Sequence, residues 1–179
     1  ENRLLTLYAN YNKLVESIKS SFDVTAGYDY QYWKSTTPLY SEMNTLGEIQ
    51  KTSKASDERH VLLSYYGRLN YSFNSRYMLT TTVRRDATSR FAKNVRWGTF
   101  PSVALGWRVT EESFLKDNKV ISTLKVRASY GVTGQQDGIG NYNYLPIYTI
   151  SQSGAGSLIG GTPTPTYRPK AYVPNLKWE

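Results

Sequence analysis

The chain has 179 residues, enough for one ordinary domain, of which 39% are hydrophobic and 14% aromatic, and a formal net charge of +8. It has no cysteine, which excludes disulfides and thiolate metal sites, and no stretch approaches the roughly 18 consecutive apolar residues of a membrane helix. The outlier is tyrosine, with 16 copies; soluble β-proteins use it freely, and membrane barrels place it in interfacial girdles.

The positive charge suits a solvated basic surface, an anionic membrane surface or nucleic acid. No signal peptide is recognisable at Glu1, so the chain reads as mature, processed or excised. The first alternating run is Leu5 to Lys13, with Leu5, Leu7, Ala9 and Tyr11 on one face. A short link, Leu14 to Ser20, precedes a second run with Phe22, Val24, Ala26, Tyr28, Tyr30 and Tyr32 on one face and Asp23, Thr25, Gly27, Asp29 and Gln31 on the other. Strict period-two alternation is the mark of a half-buried strand. A polar loop is expected from Lys34 to Glu58.

Two further strands then flank a tight turn. Val61, Leu63, Tyr65, Gly67, Leu69, Tyr71 and Phe73 share a face; after Asn74-Ser75-Arg76, so do Tyr77, Leu79, Thr81 and Val83. Thirteen residues from Val61 to Phe73 span roughly 43 Å at about 3.3 Å each. Soluble strands usually run about five or six residues. Tilted at about 45°, the run rises roughly 30 Å, enough to cross an outer-membrane apolar band of about 25 Å.

A basic loop, Ala87 to Trp97, leads into Thr99 to Thr110, where Val103, Leu105, Trp107 and Val109 share a face. Pro101 sits near the strand start, where a missing N–H is tolerated. Glu111 to Ile121 reads as a short helical turn capped by Thr110. Thr123 to Thr133 is the last clear strand, with Leu124, Val126, Ala128, Tyr130 and Val132 on one face. Five of the seven prolines and eight of the thirteen glycines then lie between Gly131 and Pro174, predicting a long irregular excursion with one strand, Tyr142 to Ile150.

The pattern divides the chain into barrel strands with their turns and loops over residues 1–133 and a Gly/Pro-rich loop region over 134–179. Connections alternate short and long, as in outer-membrane barrels with short periplasmic turns and long extracellular loops. The charges agree. An Arg or Lys facing lipid at mid-membrane costs about 2–4 kcal/mol. Arg68, Arg84, Arg108, Lys125 and Arg127 fall on the polar face, while Arg3, Lys13 and Arg85, with apolar-face parity, sit near strand ends.

Motifs for chemistry are sparse. His60 stands alone and reads as a strand-entry residue. Gly131 to Gly140 lacks the Lys-Ser/Thr ending of a phosphate loop. Asp137 and Asn141 lack the ligand spacing of a calcium site. No nucleophile, base and orienter gather, so the reading is non-enzymatic, with no metal and no cofactor. Arg84, Arg85, Arg90, Lys93 and Arg96, interleaved with Phe91 and Trp97, superficially suit nucleic acid, a partner excluded from the reading. A solvated loop, or contact with lipopolysaccharide phosphates, is the better account. Arg84 and Arg108 either pair with carboxylates such as Asp23 and Asp29 or attract an acidic substrate. Tyr142 and Tyr144, beside Gln135 and Asn141, are placed to pack a loop, stack on a sugar ring or hold a peptide.

Tyr66-Gly67-Arg68-Leu69-Asn70-Tyr71-Ser72-Phe73 followed by Arg76-Tyr77-Met78-Leu79 resembles a barrel hairpin of the SusC/RagA group of TonB-dependent transporters. Arg96-Trp97-Gly98-Thr99-Phe100-Pro101-Ser102-Val103-Ala104-Leu105-Gly106-Trp107-Arg108 is the most specific piece. Leu124 to Gln136 is similar to the following strand and loop, and Pro174 to Glu179 to the lead-in of a further strand. The resemblance implies an all-β, antiparallel transmembrane barrel of about 22 strands with a plugged lumen. It also implies location in the cell outer membrane of Bacteroidetes-type bacteria, import of glycans or peptides, a SusD-like lipoprotein cap, and energy through TonB. Six or seven strands cannot close such a barrel, so a fragment of a longer protein is expected, one that alone is not a soluble, folded monomer. The other readings open to the sequence are a passive porin-like or adhesin barrel and a soluble β-sandwich binding module.

Overall fold

The structure is a computed structural model, and it describes residues 1–115, 120–151, 156–173 and 175–179. In chain order it forms β1 (Asn2–Val15), a 3-10 turn (Glu16–Ile18), β2 (Ser20–Thr37), β3 (Tyr40–Met43), β4 (Ile49–Ser53), β5 (Ser56–Phe73), β6 (Tyr77–Thr88) and β7 (Trp97–Arg108). A second 3-10 turn (Val109–Glu111) precedes β8 (Lys125–Gly131), β9 (Tyr148–Ile150), β10 (Ser157–Ile159), β11 (Thr162–Thr164) and β12 (Tyr167–Pro169).

Six strands make one antiparallel sheet in the order β1-β2-β5-β6-β7-β8. Its register joins the apolar rows across every seam. Leu7 faces Tyr28, Val24 faces Leu69, Leu69 faces Thr81, Thr81 faces Val103, and Val103 faces Tyr130. The sheet remains open, with β1 and β8 at its edges. Among the described residues no second layer covers the apolar face: Leu5, Leu7, Val83, Leu105 and Val126 are all exposed. Among the described residues the buried apolar side chains are Ala87, Phe91 and Val109, none of them in the middle of the sheet.

The short turns lie at one end and are stitched together. Asn74 and Ser75 both take positive φ, 50° and 55°, and the Arg76 N–H closes the turn on the Phe73 carbonyl at 3.0 Å. Such left-handed pairs match the twist of a hairpin. The Asn74 N–H bonds the Lys19 carbonyl of the neighbouring turn at 2.7 Å, and the Arg108 N–H bonds Arg76 O at 2.8 Å.

At the other end the strands outrun their expected bounds. β2 continues to Thr37 and β5 begins at Ser56, so residues 34–37 and 56–58 of the expected loop are paired strand. The remainder of that loop carries the β3–β4 hairpin. Both extensions are polar, so no alternation marks them, yet backbone pairing continues into water. The expected helical turn at Glu111 to Ile121 is corrected: the helical geometry is the 3-10 turn Val109–Glu111, with Thr110 inside it and Arg108 at the cap without a side-chain bond. Residues 116–119 of that expectation lie outside the described residues. The expected strand Tyr142 to Ile150 reduces to β9, which pairs with β12; Tyr142 to Leu145 is a turn.

Candidate functional site

Parity gives the sheet two chemically different faces. On the apolar face, aromatic side chains collect at both ends. At the turn end Phe22 packs on Tyr71 at 4.9 Å and Phe73 on Tyr77 at 6.4 Å. There Glu112 accepts the Tyr77 hydroxyl at 2.6 Å and the Trp107 indole N–H at 3.1 Å. These bonds, with Arg76 at 3.2 Å, hold the Glu112 carboxyl below its ordinary 4.5. At the loop end Tyr28 packs on Tyr65 at 5.2 Å and Tyr65 on Trp97 at 6.1 Å. Trp97 and Trp107 lie on the same face of β7, ten residues apart. At about 3.3 Å per residue and about 45° of tilt that is a rise of roughly 23 Å. Between them, Val24, Ala26, Leu69, Leu79, Val83, Val103 and Leu105 carry no charge.

The polar face holds an ion network centred on Arg84. Register sets Asp29, Ser64 and Asp86 in a row across β2, β5 and β6. Arg84, two residues below Asp86, donates Nε to both Asp86 oxygens at 2.8 and 3.0 Å and Nη2 to Ser64 Oγ at 2.8 Å. Its Nη1 lies 3.7 Å from Asp29. Ser64 is fully buried beneath it. Arg84 is thus engaged by the wall, whereas Asp23 accepts Asn10 instead. Arg108 sits at the opposite end of the face, opposite Lys125 and 4.0 Å from Glu111. It is not brought together with the loop residues.

The loops gather over the other end of the polar face. Phe91 is fully buried against Trp178, edge to face at 5.4 Å, and Phe100 meets Trp178 at 5.2 Å. The Trp178 indole bonds Arg96 O at 2.9 Å. A Cβ on Gly98 or Gly134 would collide with the Phe100 and Trp178 rings, so the close approach requires glycine at both positions. Gln135 bonds Glu179 O through its backbone N–H at 2.8 Å.

Beside this nest Asn141 ties three elements. Its amide donates to Glu58 at 3.1 Å, and its oxygen accepts Arg90 Nε at 3.1 Å. Arg90 also donates to the Gln136 carbonyl, and the Tyr142 hydroxyl accepts the Arg59 N–H at 3.3 Å. The Glu58–Asn141 bond separates two clefts. One, of about 170 Å³, is lined by Tyr142, Asn143, Leu145 and Lys170. The other, of about 300 Å³, opens on the polar face and is lined by Trp33, His60, Arg90 and Asn141. Trp33 and His60 are cross-strand partners, stacked at 4.4 Å and 14°. Asp137 is exposed, and Tyr144 lies in the turn without joining either cleft lining. Among the described residues no three His, Asp or Glu gather as for a metal ion.

The sequence pairs Tyr142 with Asn141, as the structure does, but does not signal Trp33, His60 or Glu58. Trp33 has the parity of Asp29 and Gln31, and an aromatic residue on a polar face was the available signal. The basic run disperses. Arg84 points to the polar face, Arg85 lies over Trp97 on the apolar face, and Arg90 joins the loops.

A family model for the TonB dependent receptor-like β-barrel matches residues 2–179. The chain belongs to the TonB-dependent receptor β-barrel family. Among curated relatives, the TonB-dependent receptor SusC of Bacteroides thetaiotaomicron is 43% identical over 95% of this chain and 18% of its own length. TonB-dependent receptor P3 of Formosa agariphila is 40% identical over 99% of this chain and 18% of its own length. The fold matches the RagAB peptide transporter structure with a TM-score of 0.79 at 22% identity, covering 99% of this chain and 20% of that one. The chain therefore spans about a fifth of the length of these relatives. In family terms the sheet is part of an antiparallel barrel wall, the apolar face its lipid side and the polar face its lumen side.

Proposed function

We propose that this chain forms wall and extracellular mouth in a TonB-dependent importer of the outer membrane. Residues 1–133 supply wall strands and residues 134–179 the loop region. In this reading a SusD-like surface lipoprotein covers the mouth, and TonB supplies energy from the inner membrane through parts of the protein beyond this chain. The observation that carries the proposal is the sheet itself: one face apolar and uncharged between its aromatic girdles, the other polar and ion-paired, in a chain matched along its length by the family model.

The mouth cleft is where cargo rests. A stacked Trp33–His60 pair beside an amide, a carboxylate and a guanidinium offers a flat apolar platform with directional polar groups, and it favours a sugar ring of a glycan over a peptide. Lumen-side pairing fits this too, because Arg84 is occupied by carboxylates and offers little to an acidic cargo. The test is uptake by the full-length transporter in cells. Trp33→Ala should lower uptake of a labelled oligosaccharide at limiting concentration while the barrel still assembles. Unchanged oligosaccharide uptake, or a loss confined to peptides, would overturn the assignment of the cleft to a glycan.

A further inference from the structure

One bond divides the mouth. Glu58 and Asn141 line both the cleft of about 170 Å³ and the cleft of about 300 Å³. Ligand pockets run from about 300 to 1,000 Å³, so the smaller cleft falls short alone and the larger stands at the lower limit. Joined, the two fall within the range. Glu58 and His60 are two residues apart on one face of β5, about 6.6 Å along the strand at about 3.3 Å per residue. That step is on the scale of one sugar ring. A chain of rings running up β5 from the Trp33–His60 platform meets the Glu58 carboxylate next, and beyond it Tyr142, Leu145 and Lys170.

The partition is built to yield. It is a single exposed side-chain hydrogen bond, 3.1 Å long, and such a bond contributes little in water. Asn141 keeps its place without it. Arg90 only donates, so it holds the Asn141 oxygen from behind, at 3.1 Å, and leaves the amide nitrogen toward Glu58. Arg90 is itself tied to the Gln136 carbonyl at 3.1 Å. Glu58, in turn, lacks a cation. Asp57, beside it in the chain, is paired with Lys34 and Arg59, and Asp29 and Asp86 with Arg84. Among the described residues the Glu58 carboxylate meets only the neutral Asn141 amide. A carboxylate in that state takes hydroxyls in charge-assisted bonds.

We propose that the two clefts are one trough for at least two consecutive sugar rings. Asn141 is a keeper that occupies Glu58 until the hydroxyls of the second ring displace it. Glu58 and the smaller cleft thereby set the minimum length of cargo that the mouth holds. The proposal rests on the reading of the mouth cleft as a glycan site.

The experiment uses the full-length transporter in nanodiscs. It is incubated with a partial hydrolysate of mixed storage and cell-wall polysaccharides, from single rings upward, and retained sugars are sized by mass spectrometry. Barrel assembly is read in parallel from heat-modifiable mobility. The wild type should retain multi-ring glycans in preference to single rings. Glu58→Ala should lower the ratio of multi-ring to single-ring glycan about tenfold, the worth of one hydrogen bond to a charged group, and Glu58→Gln and Lys170→Ala should lower it less. Asn141→Asp keeps an oxygen for Arg90 and removes the amide that occupies Glu58. It should hold multi-ring glycans about threefold better than the wild type, whereas a merely structural Asn141 predicts no gain. Trp33→Ala should lose glycans of every length. An assembled barrel whose length ratio is unmoved in Glu58→Ala, or that gains nothing in Asn141→Asp, overturns this proposal alone if Trp33→Ala still loses all lengths. A wild type that retains no sugar, or a Trp33→Ala variant that loses none, overturns the glycan reading of the cleft and this proposal with it.

Discussion

The assignment of faces is most sharply tested at Val103. It lies on the lipid side of β7, four residues from Trp107 and six from Trp97, between Thr81 and Tyr130. At about 3.3 Å per residue and about 45° of tilt it stands roughly 9 Å above the lower girdle and 14 Å below the upper one, near mid-band. An arginine there costs about 2–4 kcal/mol, which is roughly a 30- to 900-fold loss in the folded ratio. Ala104, its chain neighbour, faces the lumen side between Thr80 and Ser129 at nearly the same depth. Ala104→Arg should therefore cost far less. The measurement is urea unfolding of the full-length protein in lipid vesicles, both variants against wild type. Equal costs, or a larger cost for Ala104→Arg, would refute the two-faced wall.

Three further outcomes follow from particular contacts. Arg84→Ala strips the guanidinium from Asp86 and Asp29 and should destabilise the full-length protein by about 1–3 kcal/mol in the same titration, with part recovered when both aspartates become asparagine. The Glu112 carboxyl is held below 4.5 in the folded state, first by the Tyr77 hydroxyl and then by the Trp107 indole. The stability it contributes is therefore present above 4.5 and lost as pH falls through the folded value. Near-ultraviolet dichroism should show a low-pH step that Glu112→Gln abolishes; a step unchanged in that variant would refute the link. The chain expressed alone should aggregate, because Leu5, Leu7, Leu105 and Val126 stay uncovered and both sheet edges are open. A dispersed spectrum from a detergent-free monomer would refute this.

The six wall strands were legible because each stands between two solvents. Lipid on one side and a polar lumen on the other force strict alternation, and alternation survives in composition. Where both sides are water the signal fades. Residues 34–37 and 56–58 pair through their backbones and carry no pattern that says so. The mouth was legible only in part for a different reason. Asn141 and Glu58 are 83 positions apart, and so are Tyr142 and Arg59. Nothing local encodes those meetings; the register of β2 with β5 and the fold of the 134–179 region bring them about. Trp33 and His60 are each ordinary alone and become a platform only as cross-strand partners. The Phe91–Trp178–Phe100 nest likewise joins the 91–100 segment to Trp178 far along the chain, and it supplies the loops with burial that the sheet does not.

The dispersal of the basic run explains why the register of β6 is secure. Arg84 and Asp86 point into the lumen, and Arg85 between them points out over Trp97. A one-residue slip reverses every side chain of a strand. In the slipped strand Arg84 and Asp86 would face lipid while Thr81 and Val83 turned inward, and Ser64 would lose the guanidinium above it. Arg85 would enter the lumen with its charge in place of Arg84, but without Asp86 beside it. The same slip would carry Leu79 and Val83 away from Leu105 and Pro101, opening the apolar row that runs on into β7. Charge pairing near the mouth and apolar pairing near the turns thus penalise the same error from opposite ends of the strand. Three arginines within seven residues meet a carboxylate pair, an indole and a loop amide because parity, not proximity in sequence, decides which solvent each one faces.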